Sequence, residues 1–87
     1  MSEVDFQQML WQITSGFRLG LEGQGNERLV KFIEALMSRL QDLPPDSITE
    51  LNGYLSQTMA ALERRDYIYA ADMLEFPVSD LLKKLGL

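Results

Sequence analysis

This sequence predicts an all-α fold, a four-helix up-down-up-down antiparallel bundle built from two αα-hairpins. Apolar residues recur at helical spacing, and alternating β-branched runs between tight turns are absent. Three short breaks, Glu22-Gly23-Gln24-Gly25-Asn26, Leu43-Pro44-Pro45-Asp46 and Arg64-Arg65-Asp66, divide the 87 residues into four stretches of several turns each. Links this short leave successive helices antiparallel. The helices are expected at about 3–22, 26–42, 47–64 and 66–85, within a single domain, 1–87.

In the first helix Ser2, with Asp5 three residues on, is the expected cap, and Phe6, Met9, Leu10, Ile13, Phe17 and Leu21 share one stripe. Gly16 and Gly20 lie at the edge of that stripe, where small residues either admit a close neighbour or mark a bend. Asn26 is the expected cap of the second helix, whose apolar residues Leu29, Val30, Phe32, Ile33, Leu36, Met37 and Leu40 occupy a wider arc. The third begins at Ser47, with Glu50 completing a capping box, and carries the narrower stripe Ile48, Leu51, Leu55, Met59 and Leu62. Asp66 caps the fourth, where Tyr67, Ala70, Ala71, Leu74, Val78, Leu81 and Leu85 fall together. Pro77 interrupts this stripe; it removes a hydrogen bond and costs about 3 kcal/mol unless compensated. A kink near Pro77 is expected, with Ser79 available to cap a restarted helix.

The break at 64–66 has a rival. A single helix over 47–76 would carry Tyr69, Met73 and Phe76 along the same core stripe as Ile48 to Leu62, giving a three-helix bundle with a short C-terminal helix. A weak internal echo favours the break: Leu21-Glu22 matches Leu62-Glu63, Ile33-Glu34 matches Leu74-Glu75, and Leu40 matches Leu81. The echo sets Gly25 opposite Asp66, so both hairpins are expected to turn at corresponding points.

Composition narrows the function. Thirteen acids against eight bases, a net charge of −5, give no cationic footprint for nucleic acid. The apolar runs are far shorter than the roughly 20 residues that span a bilayer, so no membrane partner is expected and the chain reads as cytoplasmic. With neither cysteine nor histidine, the commonest nucleophile–base pairs and zinc sites are missing, and Ser15, Ser38, Ser47 and Ser56 have no histidine to activate them. Gly23-Gln24-Gly25 lacks the preceding strand and following Lys of a phosphate loop. No enzyme activity and no cofactor are expected.

What stands out is a second apolar stripe. Tyr69, Met73 and Phe76 lie on roughly the opposite side of the fourth helix from its core face, and Val4 and Trp11 point away from the core stripe of the first. Aromatic residues and Met are enriched where proteins meet, which makes these five the candidate partner-binding residues. The plainer account is that they flank the core or are isolated exposed apolars. Asp66, Asp72 and Glu75 form an alternative, a carboxylate site for a divalent metal or small molecule, although no calcium-loop spacing accompanies them. A solvated acidic face is the simpler reading.

The run Leu62-Glu63-Arg64-Arg65-Asp66-Tyr67, followed by Ala71-Asp72-Met73-Leu74-Glu75-Phe76, resembles the C-terminal part of small helical domains of Firmicute-type bacteria with no established activity. The resemblance implies a bacterial origin and a helical hairpin, but no mechanism; Pro77 stands where that pattern has an acid. The architecture is also loosely similar to the acidic four-helix flagellar export chaperones, which bind partner helices. The expected function is a non-catalytic protein–protein interaction module, adaptor or chaperone-like, that self-associates as a homodimer or binds an amphipathic helix.

Overall fold

The computed structural model describes residues 5–87, and these form an all-α fold of four helices. Helix α1 (Phe6–Arg18) and α2 (Glu22–Met37) make the first hairpin. A 3₁₀ turn (Leu40–Asp42) leads to α3 (Pro45–Glu63). The last helix runs over 67–84, as α4 (Tyr67–Met73), a π turn (Leu74–Val78) and α5 (Ser79–Lys84). It packs on α3 to make the second hairpin, and on α1 to join the two. Gln7 bonds to Ser79 and Arg18 to Asp72 and Glu75, so α1 and the last helix run antiparallel.

The turn at 64–66 is present, which overturns the long-helix alternative. Arg65 adopts φ 58, its N–H donates to the Leu62 carbonyl at 3.0 Å, and the Asp66 N–H donates to the Ala61 carbonyl at 2.8 Å. This is a Schellman stop, after which the Asp66 carboxylate accepts from the Tyr69 N–H at 3.1 Å and starts α4. The first hairpin turns in the same way, at Gly20 (φ 78), where the Leu21 N–H donates to the Gly16 carbonyl at 2.8 Å. Gly20, not Gly25, is thus the counterpart of the second turn, and the echo in the sequence is out of register with the structure. An arginine in the left-handed region carries a steric cost that glycine lacks. Arg65→Gly is therefore expected to stabilise the fold by about 0.5–1 kcal/mol, read as a higher urea midpoint with unchanged slope.

Several helix ends differ from expectation. Asp5 is the N-cap of α1, accepting from the Gln8 N–H at 3.0 Å, while Ser2 lies outside the described residues. Helix α2 starts before Gly23 and Gly25, so neither glycine is a stop and Asn26 is no cap. It ends at Met37, short of the expected boundary. Pro44, not Ser47, precedes α3, with Pro45 in the first turn, where its missing N–H costs nothing.

At Pro77 the last helix does not stop and restart: it passes through a π turn, and Ser79 is not a cap. The turn widens by one residue: the Ser79 N–H reaches back five positions to the Leu74 carbonyl, which makes room for the proline ring. Ser79 is consequently mid-helix and buried, and its hydroxyl donates to Gln7 Oε1 at 2.7 Å instead of capping. Leu82, about 20° round the helix from Ala71, is fully buried as well, although the expected stripe omits it.

Four faces converge on one apolar cluster. Phe6, Leu10, Ile13 and Phe17 meet Leu29, Phe32 and Leu36, with Leu51 and Ala61 from α3 and Ala70, Ala71, Leu74, Val78, Leu81 and Leu82 from the last helix. The Phe6 and Phe32 rings pack edge to face, with centroids 5.9 Å apart. Helices α1 and α2 meet where Gly16 faces Gly25; a Cβ at Gly16 would make an ordinary contact with Gly25 at 3.5 Å, whereas one at Gly25 would stand 2.5 Å from the Phe17 ring, so Gly25 is the position that needs glycine. Val30, Met37 and Met59, expected in the core, are exposed, as is Leu21 in the turn.

Candidate partner-binding face

Trp11 projects from α1 with 68% of its surface exposed. The face is held in place from beneath: Ile13 is buried on roughly the opposite side of the helix and Leu10 on its flank, and the Thr14 hydroxyl donates to the Trp11 carbonyl at 3.1 Å. Beside the indole runs a groove of about 230 Å³ between α1 and the last helix, lined by Leu10 and Thr14 on one side and by Glu75, Ser79 and Lys83 on the other. The Gln7 side chain clamps its two walls: its amide nitrogen donates to the Ser79 carbonyl at 3.4 Å, and its oxygen accepts from the Ser79 hydroxyl.

A second clamp lies nearer the hairpin turns. One Arg18 nitrogen donates to Glu75 Oε1 at 2.9 Å, while the other donates to Glu75 Oε2 at 3.1 Å and to Asp72 at 2.9 Å. The hydrogen bond to Glu75 is the main cause of an upward shift in the Arg18 pKa, which burial opposes. The carboxylates are about half exposed, so these pairs contribute at most about 1 kcal/mol together with salt screening. Their effect is geometric, since they tie the groove walls together.

The proposed second stripe divides into unlike parts. The Tyr69 hydroxyl donates to Gln57 Oε1 at 3.3 Å, and the Arg64 guanidinium stacks 5.4 Å from the ring centroid. Tyr69 is half-buried and joins α4 to α3. Met73 is also half-buried, while Phe76 is 56% exposed. Val4 lies outside the described residues. Trp11 and Phe76 are accordingly the two candidate residues that offer most of an aromatic ring to solvent.

The acidic alternative is not assembled. Asp66 is occupied as a cap and lies 3.9 Å from the Arg64 guanidinium, whereas Asp72 and Glu75 are held by Arg18. Among the described residues no group of three carboxylates is placed to hold a metal ion. Sequence reasoning missed further exposed apolar residues, Leu19 and Ile68 near the hairpin turns and Val30 and Met37 on α2. The excess of apolar residues over one core face in the wide arc of α2 was the available signal. No helix among the described residues is long and apolar enough to cross a membrane. Comparison of the chain with protein-family models, curated proteins and solved structures finds no match.

Proposed function

We propose that this chain is a non-catalytic helical interaction module, an adaptor or chaperone-like protein of the cytoplasm, which packs a second copy or a partner's amphipathic helix against Trp11 and Phe76. The observation that supports the reading is the exposure of these two aromatic rings, on helices whose other faces are buried in the core. Large aromatics at the centre of a contact contribute disproportionately to binding, because they remove much apolar area from water with few rotamers to fix. The groove beside Trp11 offers both an apolar floor and polar walls for a helix laid along it. Met73 borders the anchor as a half-buried, adaptable side chain.

Trp11 is the single tryptophan, so its fluorescence reports on this face alone. For the self-associating form, emission is expected to shift to the blue as concentration rises and solution mass doubles. Phe76→Ser should remove both changes while leaving helix content and cooperative melting intact. A Phe76→Ser chain that associates like the native one would sink the reading; loss of cooperative melting would place Phe76 in the core.

A further inference from the structure

A different surface carries its own partner chemistry. Val30 and Met37 on α2 are 56% and 64% exposed, and half-buried Ile33 lies between them on the same flank. At about 100° per residue the three fall within roughly 60° of one another, and their stripe is centred roughly 100° from the buried Leu29–Phe32–Leu36 face. The 30-33-37 spacing is that of successive a and d positions of a heptad, the pattern with which one helix receives the knobs of another. Helix α2 has α1 as its principal neighbour, and α1 takes the core face, so this flank is left without a helix.

Charge selects among occupants. Next to the stripe on its outer side stand Glu27 and Glu34, both exposed. Lys31, farther round, approaches Glu27 at 3.9 Å, and Glu34 has no ion-pair partner among the described residues. A second copy of α2 laid antiparallel on the stripe, with Val30 of one chain meeting Met37 of the other, would bring the two Glu34 side chains beside each other, like charges at the positions that set pairing preference in helix pairs. A helix with Lys or Arg beside its apolar seam meets the same border with opposite charge. We propose that the Val30–Ile33–Met37 flank of α2 docks a basic amphipathic helix of a partner protein, through a surface separate from the Trp11 groove.

The test uses the full chain and two synthetic helical peptides, one of leucine and lysine in heptad register and one with glutamate in place of every lysine. Methyl and amide NMR should show saturable shifts centred on Val30, Ile33 and Met37 with the lysine peptide, weakened by added salt. Val30→Ser combined with Met37→Ser should raise the dissociation constant about tenfold or more. Both sites are exposed, and an unchanged thermal melt shows that the fold is retained. Glu27→Lys combined with Glu34→Lys should reverse the preference, so that the glutamate peptide binds the better. Equal binding of both peptides by the native chain, or shifts centred on Trp11 instead, would overturn the proposal. So would shifts at Val30 and Met37 that appear with protein concentration alone, since these would make the occupant a second copy.

Discussion

Phe32→Ala is expected to destabilise the fold by about 3–5 kcal/mol, whereas Phe76→Ala should change its stability by less than about 0.5 kcal/mol. Both phenylalanines lie on helices and both belong to apolar stripes. Phe32, however, is fully buried against the Phe6 ring, and Phe76 is more than half exposed. Removing the Phe32 ring forfeits its transfer free energy and leaves a cavity that the packed core around it cannot fully close. Domains of this size sit toward the lower part of the usual range of about 5–15 kcal/mol, so Phe32→Ala should populate unfolded chain at room temperature. Urea titration followed by circular dichroism measures both. A Phe76→Ala loss comparable to that of Phe32→Ala would show that the outer stripe is structural.

The second large effect distinguishes two glycines that the sequence presents as one motif. A Cβ at Gly25 would stand 2.5 Å from Cε1 of Phe17, whose ring is buried and packed 5.6 Å from that of Tyr67. The ring has little room to retreat. Overpacking of this kind costs about 1–3 kcal/mol and outweighs the gain of up to about 1 kcal/mol from replacing a helical glycine by alanine. At Gly23 nothing lies within 4 Å, so only the gain remains. Gly25→Ala should lower the melting temperature, by about 4–8 °C per kcal/mol in a domain of this length, and Gly23→Ala should raise it. If both substitutions stabilise the chain, α1 and α2 do not approach as closely as the structure places them.

These two outcomes show where sequence reasoning reaches its limit. The helical class, the four segments, the α1 stripe from Phe6 to Phe17 and the Asp66 cap were all legible, because each depends on neighbours within a turn or two along the chain. The turn at residues 64–66 was legible as charged punctuation, although its left-handed Arg65 was not. Propensity assigns that conformation to glycine, and the three hydrogen bonds of the stop and cap hold an arginine there. The helix starts at Asn26 and Ser47 failed for the same reason. A capping side chain is one local option, and the packing of Phe17 over Gly25 and the Pro44-Pro45 pair determined where the helices begin.

Of the candidate site, the sequence identified an apolar surplus without saying which members of it would stay outside. Tyr69 and Phe76 look alike along the chain; the structure gives one to Gln57 and Arg64 and leaves the other to solvent. Val30 and Met37 looked like core because a helical wheel shows how wide an apolar arc is, not how much of it the neighbouring helices can cover. By itself the sequence determined that the chain folds as amphipathic helices and lacks histidine and cysteine chemistry, since composition and periodicity are properties of single segments. Only the tertiary structure decided which apolar residues are core and which face outward, because burial depends on how helices distant in sequence meet.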